Sequence, residues 1–224
     1  MSPSPIHIAI DGPVASGKGT VARGLSEKLK IPCLDTGAIY RGIAIFAKEK
    51  GLDKFIEHLD EVKIFARIID NVTCISINGK NVTGQLRDND ISQISSQVAT
   101  IPAVRKLCTQ ISHELAGNQS LIAEGRDICS VVLPNATHKF YLTAKPRTRA
   151  KRRHDELVAK GKIITFKQVL RETKERDKRD LTKGGLVKTP DAITIDSTKM
   201  SIDETVQFIL KYIIKDETEL TEPK

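Results

Sequence analysis

A glycine-rich stretch near the start of the chain carries the residues best suited to bind phosphate. Gly12 and Gly17 are separated by four residues and Lys18 follows, which is the spacing of a phosphate-binding P-loop. Glycines let successive backbone N–H groups converge on a phosphate, and the start of a following helix adds its positive end. Lys18 would supply a mobile charge to the outer phosphates. The predicted triphosphate-binding residues are Gly12, Pro13, Val14, Ala15, Ser16, Gly17, Lys18, Gly19 and Thr20.

The residues on either side of this turn provide the strand and the helix that a P-loop requires. The apolar run at residues 6–10 predicts a buried strand, and apolar residues from Val21 to Leu29 recur at helical spacing. A second interpretation starts from Gly17, because Gly17 to Ala22 also fits the G-x-G-x-x-A pattern of dinucleotide-binding folds. That interpretation leaves six residues between the strand and the first glycine, and it leaves Lys18 without a role. We therefore reject it.

The hydroxyl that commonly ligates magnesium in a P-loop is displaced in this chain. The residue after Lys18 is Gly19, and the hydroxyl comes one position later, at Thr20. The string Gly-Lys-Gly-Thr in this place resembles the nucleoside monophosphate kinases. The resemblance implies that Mg²⁺ is held largely through water and the nucleotide, with Thr20 as the candidate protein contact.

Apolar runs farther along the chain predict the strands that would position this loop. They lie at residues 31–35, 120–123, 139–142 and 192–196, and patterns typical of helices separate them. Strands that alternate with helices in this way form parallel sheets with helices on both faces. We therefore predict an α/β protein with the three-layer fold of P-loop NTPases and a central five-stranded parallel sheet.

A different pattern occupies residues 62–84. Residues 68–72 and 73–77 alternate with period two, and Asn78-Gly79 is a strong hairpin signal, so we predict a small antiparallel β insert. The predicted organisation is a kinase core at 1–61 and 85–214, this insert at 62–84, a helical lid at about 145–162, a last helix ending at 214 and a polar, disordered tail at 215–224.

Two further segments carry side chains that suit a nucleoside monophosphate. In the segment 35–41, Tyr40 offers a ring face to a base and Arg41 a planar fork to a phosphate. The segment 124–127, Glu-Gly-Arg-Asp, follows a predicted strand, where ligands of parallel sheets bind. Together with Gly-Lys-Gly-Thr and the Arg-Asp-x-x-Asp string at 176–180, these segments resemble the bacterial cytidylate kinases.

This resemblance extends over nearly the whole chain. It implies transfer of the γ-phosphoryl group of ATP to CMP and dCMP, with Mg²⁺ entering as MgATP. The residues that it assigns to the acceptor substrate are Thr36, Tyr40, Arg41, Ser96, Arg105, Arg126, Asp127, Arg176 and Asp180. The residues that it assigns to catalysis are Lys18, Arg126, Arg149 and Arg153.

The chain departs from this family pattern at three places. Glu124 replaces the commoner aspartate and keeps its charge. Cys129-Ser130 stand where Gly-Thr is usual, which would matter if the backbone there needed the torsions of glycine. Lys183 stands where an arginine is frequent, so we expect a weaker contact that keeps the charge but loses the bidentate fork.

Charge is concentrated in one part of the chain. The formal net charge is +8, and residues 145–188 contain 16 basic and 6 acidic residues, a local net charge of +10. Such a segment could contact nucleic acid, close over a polyphosphate, or form a solvated helix face. Aromatic residues make up 4% of the chain and Phe166 alone lies within the basic run, so we do not expect a nucleic-acid partner. A GTPase is also not expected, because the guanine-reading string Asn-Lys-x-Asp is missing.

The remaining expectations concern compartment and assembly. The four cysteines have no paired metal-binding spacing, which favours reduced thiols and a cytosolic protein. No apolar run approaches the roughly 20 residues of a membrane span, and residues 1–5 lack the apolar core of a signal peptide. We expect a monomer without a membrane partner, because a lid must swing freely.

Overall fold

The computed structural model describes residues 5–183 and 185–221 of the chain. The strands, in chain order, are β1 (His7–Asp11), β2 (Cys33–Asp35), β3 (Ile64–Ile69), β4 (Val72–Ile77), β5 (Lys80–Asn81), β6 (Leu121–Gly125), β7 (His138–Thr143) and β8 (Ile193–Asp196). The helices are α1 (Lys18–Leu29), α2 (Thr36–Lys50), α3 (Asn89–Val98), α4 (Pro102–Ala116), α5 (Pro146–Ala159), α6 (Phe166–Thr182) and α7 (Ile202–Thr221).

A five-stranded parallel sheet forms the centre of the protein, in the order β2-β6-β1-β7-β8. This confirms the predicted α/β fold and its central sheet. The register places Asp11 opposite Gly125 and Tyr141, and it places Asp35 opposite Glu124. The carboxyl ends of β1, β2 and β6 therefore lie side by side at one edge of the sheet, where the polar side chains that follow them come together.

Helices cover both faces of this sheet, because the central strands are apolar on both sides. Ile8 and Ile10 of β1 pack with α1 and α7 on one face, whereas Ala9 packs with α2 and α4 on the other. All three side chains are fully buried. A third, smaller cluster joins α5 to α6 through Ala150, Leu157 and Val169. These two helices thus form a unit with an apolar core of its own. No helix in the described ranges is long and apolar enough to cross a membrane.

The insert is an antiparallel sheet in the order β3-β4-β5. Asn78 and Gly79 connect β4 to β5 with φ values of 49° and 83°, as the hairpin signal predicts. A second two-residue turn connects β3 to β4 at Asp70 and Asn71, with φ values of 49° and 59°. The assignment of 68–72 to a continuous strand is therefore wrong. Asp and Asn tolerate the left-handed conformation, so they can form this turn without a glycine.

The last helix is longer than the sequence pattern predicts. The pattern places its end at residue 214, but α7 continues to Thr221. The first residue that cannot continue a helix is Pro223, and residues 215–221 contain neither glycine nor proline. Polarity alone is therefore a poor signal for the helix end. The remainder of the expected tail, residues 222–224, lies outside the described residues.

We expect Ile75→Ala to destabilise the protein far more than Ile69→Ala. Ile75 of β4 is fully buried against α2, where a Cβ built on Gly42 would lie 2.7 Å from its Cγ2, whereas Ile69 is 53% exposed. Removing the buried side chain should lower the free energy of unfolding by about 2–5 kcal/mol, and the exposed one by less than about 0.5 kcal/mol. Urea unfolding followed by circular dichroism measures both; equal losses would contradict the packing described here.

Candidate functional site

The glycine-rich turn lies between β1 and α1 and has the backbone of an anion-binding loop. Ala15 and Gly17 adopt left-handed conformations with φ values of 56° and 95°, which turns successive N–H groups toward one side of the loop. Helix α1 begins at Lys18, and no side chain caps its start at Gly17. The first N–H groups of the helix are thus available to a ligand. Lys18 is buried and its Nζ donates to the carbonyl of Pro13, 3.3 Å away.

One cleft at the carboxyl edge of the sheet contains every residue that the resemblance assigns to the acceptor. Its walls come from α2, α3, α4, α6 and the end of β6. These wall residues are Thr36, Tyr40, Arg41, Ser96, Arg105, Arg126, Asp127, Arg176 and Asp180. Lys18 and Arg153, two of the predicted catalytic residues, line the same cleft.

A second cleft lies on the other side of Lys18. It is bounded by Gly17, Gly19 and Thr20 of the P-loop and by the segment 200–202 before α7. Lys18, Arg41 and Arg153 line both clefts, and so do Asp35, Glu124 and Glu156. The two spaces therefore meet at these charged side chains. Of the other predicted triphosphate-binding residues, Val14 and Ala15 line the first cleft, Ala15 also lines the second, and Gly12, Pro13 and Ser16 line neither.

Carboxylates hold the arginines of the first cleft. The Nε of Arg126 donates to Asp180 at 2.7 Å, and the Nε of Arg176 lies 4.0 Å from the same carboxylate. Arg41 donates to Asp35 at 2.6 Å. In each pair the carboxylate contacts only part of the guanidinium, which has five N–H donors. These ion pairs therefore position the cations while leaving donors for a bound anion.

Ionisation around Lys18 is strongly perturbed. Burial, together with the charge of Arg126, lowers the pKa of Lys18 to about 7, although Glu124 acts in the opposite direction from 3.9 Å. Burial and the nearby Asp35 raise the pKa of Glu124. For Asp35 itself, burial acts to raise the pKa, but the charge and hydrogen bond of Arg41 hold it below the ordinary value. Buried cations and carboxylates thus lie close together where the two clefts join.

The far end of the first cleft could read the edge of a base. Arg105 and Asp127 form an ion pair there, and Ser96 lies close by with a buried Oγ for which no hydrogen-bond partner is found in the described part of the chain. Burial raises the pKa of Tyr40, so its phenol remains neutral. The backbone of Gly185 closes over Arg105, since a Cβ there would clash with Nη2 of that arginine. The guanidinium donor of Arg105, the carboxylate acceptor of Asp127 and the ring of Tyr40 thus line the same cleft.

Asp11 supports the turn that carries Arg126 and Asp127. Its carboxylate accepts hydrogen bonds from the N–H groups of Ile128 and Cys129, both at 2.8 Å. The turn continues as a short helical segment, Ile128–Val132, in which neither Cys129 nor Ser130 has a positive φ. Glycine torsions are not needed there, so the Cys129-Ser130 departure leaves this turn intact. Asp11 is not among the predicted site residues. The sequence feature that could have identified it is its position as the last residue of a central strand.

Glu124 and Asp35 were also missing from the predicted site. Each stands at or beside the carboxyl end of a parallel strand, which is the signal that could have found them. Glu124 lies close to the residue after Lys18: a Cβ at Gly19 would lie 2.9 Å from Oε1 of Glu124. A side chain at this position would therefore require the carboxylate to shift. Lys183, at the end of α6, lines neither cleft.

Arg149 is the one predicted catalytic residue that the structure does not bring to a cleft. Its Nε donates to the carbonyl of Ala144 at 2.8 Å, and its two Nη atoms contact Asp177 at 2.9 and 2.7 Å. Nη1 also donates to the carbonyl of Val14 in the P-loop at 3.0 Å. Arg149 therefore contacts the loop from outside, whereas Arg153, one turn later, faces the space between the clefts.

Comparison with known proteins agrees with this geometry. The sequence profile described as cytidylate kinase matches residues 8–215. The cytidylate kinase of Fervidobacterium nodosum is 40% identical over 208 residues, covering 92% of this chain and 95% of that protein. The cytidylate kinase of Thermosipho melanesiensis is 41% identical over 218 residues, covering 96% of this chain and all of that protein. The chain belongs to the cytidylate kinase family.

Proposed function

We propose that the protein transfers the γ-phosphoryl group of ATP to CMP and dCMP, giving ADP and the corresponding diphosphates. The observation that carries this proposal is the junction of two clefts at Lys18 and Arg153. One cleft is built on the P-loop and suits a triphosphate. The other combines phosphate-binding arginines with a polar pocket for a base. A phosphoryl group could therefore pass between two nucleotides beside the cations Lys18 and Arg153.

In the acceptor cleft, Arg41, Arg126 and Arg176 would hold the monophosphate, since their guanidinium groups face the same space as Lys18. Ser96, Arg105 and Asp127 would read the edge of cytosine. Three other residues are proposed for the acceptor: Thr36, Tyr40 and Asp180. The hydroxyl of Thr36 donates to the carbonyl of Glu124 at 2.9 Å, and Asp180 accepts a hydrogen bond from Arg126.

No general base is required for this reaction. The attacking oxygen belongs to a phosphate that is already anionic, so the protein must align two nucleotides and offset the charge of the transferring group. Lys18 and Arg153 are placed to do so because both line the junction of the clefts. We propose that Arg149 contributes through the Val14 carbonyl of the P-loop, because its donors are occupied there and by Asp177 and Ala144.

Mg²⁺, as MgATP, would supply additional charge neutralisation at the phosphates. In the described residues no cluster of three or more His, Cys, Asp or Glu side chains could enclose a metal ion. Thr20, Asp35 and Glu124 line the second cleft, and the oxygen donors that their side chains carry suit Mg²⁺ that keeps several waters. These residues therefore fit an ion bound mainly by nucleotide and water, with Thr20 the candidate for a direct contact.

We further propose a cytosolic monomer that uses no nucleic acid as substrate. The four cysteines are free thiols in the structure, as expected in a reducing compartment. The basic residues of α5 and α6 that reach the clefts, Arg153 and Arg176, have a role in binding nucleotides there. Size-exclusion chromatography with light scattering, with and without substrates, tests the monomeric state.

A coupled assay that presents CMP, dCMP, UMP, AMP and shikimate separately with ATP and Mg²⁺ tests the proposed reaction. We expect ADP formation with CMP and dCMP and little with the others, because Ser96, Arg105 and Asp127 supply the base-reading groups of the cleft. Turnover with AMP or shikimate but not with CMP would contradict the proposal. Omission of Mg²⁺ should abolish the rate.

Replacing Arg126 by alanine should leave the protein folded and lower its turnover. If the lost contact is worth about 2–4 kcal/mol in the transition state, the rate falls roughly 30- to 1000-fold. Arg171→Ala is the matched control, since Arg171 lies on the exposed surface of α6 with 71% of its side chain accessible. Steady-state rates and circular dichroism test both variants. An unchanged rate for Arg126→Ala would remove Arg126 from the site.

The affinity for a polyphosphate should fall as the pH rises above neutrality. Because burial and Arg126 lower the pKa of Lys18 to about 7, the free protein loses this proton as the pH rises through that value. A bound anion favours the charged amine, so binding at higher pH takes up a proton and weakens by up to about tenfold per pH unit.

Calorimetry with inorganic tripolyphosphate between pH 7 and 9, in buffers of different ionisation enthalpy, measures this uptake. Lys18→Met is the reference, because it retains only the protonation of the ligand itself. The assignment fails if both proteins show the same pH dependence.

A further inference from the structure

Two arginines of α5 contact carbonyl groups of the P-loop. Arg149 and Arg152 are three residues apart and thus lie on one face of the helix. The Nη1 of Arg149 donates to the carbonyl of Val14 at 3.0 Å, and the Nη1 of Arg152 donates to the carbonyl of Ser16 at 3.2 Å. Arg152 belongs to the predicted lid but is not among the predicted site residues, yet it contacts the centre of the loop.

A hydrogen bond that fixes the direction of a backbone carbonyl also fixes the direction of the N–H group in the same peptide, which belongs to the next residue. In a planar trans peptide the C=O and N–H bonds point in opposite directions, and the described residues contain no cis peptide. The contact of Arg152 with the Ser16 carbonyl therefore turns the N–H of Gly17 away from this arginine. Gly17 has a φ of 95°, a conformation in which neighbouring N–H groups form an anion-binding concavity. Arg152 thus stabilises the binding form of the loop.

The same guanidinium also forms hydrogen bonds with another segment that borders the second cleft, the turn at residues 197–200. Nη1 of Arg152 donates to Oγ of Ser197 at 3.1 Å, and Nη2 donates to the carbonyls of Ser197 at 2.7 Å and Met200 at 3.4 Å. Oγ of Ser197 in turn lies 3.1 Å from the carbonyl of Thr143 and 3.4 Å from that of Ser16, either of which can accept its one proton. Met200 and the two residues after it line the cleft beside the P-loop. One side chain therefore ties α5, the P-loop and the 197–200 turn together.

Only arginine can make this set of contacts. Its planar fork presents donors in fixed directions to two backbone segments, whereas the single ammonium of lysine is a compact point charge. Hydrogen bonds from a charged donor are also stronger than neutral ones. The guanidinium is half-buried, so these bonds are partly shielded from water.

We propose that Arg152 is a positioning residue of the phosphate-donor site, which sets the orientation of the P-loop amides and of the 197–200 turn before the donor binds. The identity of the donor as ATP rests on the proposed function. Arg152 is proposed to affect the binding of the donor's phosphates and not of its base. Inorganic tripolyphosphate, which has no base, is therefore the probe.

The test compares Arg152→Met with Lys151→Met. Lys151 is the neighbouring cation on α5, 72% exposed and paired with Asp155. Calorimetry gives the Kd for tripolyphosphate, and steady-state kinetics give KM for ATP and for CMP. We expect Arg152→Met to weaken tripolyphosphate and ATP by about tenfold, as for loss of a charged hydrogen bond, and to change KM for CMP by less than about twofold. Lys151→Met should match the parent protein in all three quantities.

The proposal is overturned if Arg152→Met and the parent protein bind tripolyphosphate with equal affinity. It is also overturned if KM for CMP rises as much as KM for ATP, because that result would indicate a general structural role. Ser197→Ala removes the other side-chain donor within reach of the Ser16 carbonyl, so it should also weaken tripolyphosphate binding. This variant replaces Arg152→Met in the test if Arg152→Met does not fold. A parent protein that binds no tripolyphosphate contradicts the proposed function itself, so the two failures are distinguishable.

Discussion

The repulsion between cations gathered around Lys18 is the interaction on which the rest of this structure depends. Burial, and after it the charge of Arg126, lowers the pKa of Lys18 to about 7 and that of Arg176 to about 10. The protein tolerates this arrangement because Glu124 and Asp180 offset part of the charge. Neutralisation is incomplete, so a bound polyanion adds stabilisation that the free protein lacks. Binding and the unfavourable electrostatics of the free site are thus two aspects of one charge distribution.

The parallel sheet makes such a concentration of charge geometrically feasible. Because β1, β2 and β6 end at the same edge, Asp11, Asp35 and Glu124 lie near one another although they are far apart in the sequence. The three carboxylates then act separately, since Asp11 holds the turn after β6, Asp35 holds Arg41, and Glu124 faces Lys18. A sheet of different strand order would separate these carboxylates, and the cations beside them would lose their partners.

Features determined by short-range chemistry could be predicted from the sequence, and features determined by distant contacts could not. The P-loop is an uninterrupted string with its own strand and helix, and the resemblance to a family supplied the acceptor residues, all of which line one cleft. By contrast, nothing local to Arg149 indicates that it contacts Val14, 135 residues away. The turn at Asp70 and Asn71 was missed for another reason, since alternation with period two continues through it and only the tolerance of Asp and Asn for positive φ distinguishes it.

The arrangement of arginines on α5 also restricts how this helix can move. Arg149 and Arg152 attach its first two turns to the P-loop, and Arg149 further joins α6 through Asp177. Arg153, the next residue, instead faces the clefts. Any displacement that preserves the P-loop contacts is therefore confined to the part of α5 beyond these residues, where Leu157 packs on α6. The same helix thus combines a fixed base, which keeps the phosphate-binding loop in shape, with a distal part whose apolar contacts connect it to α6.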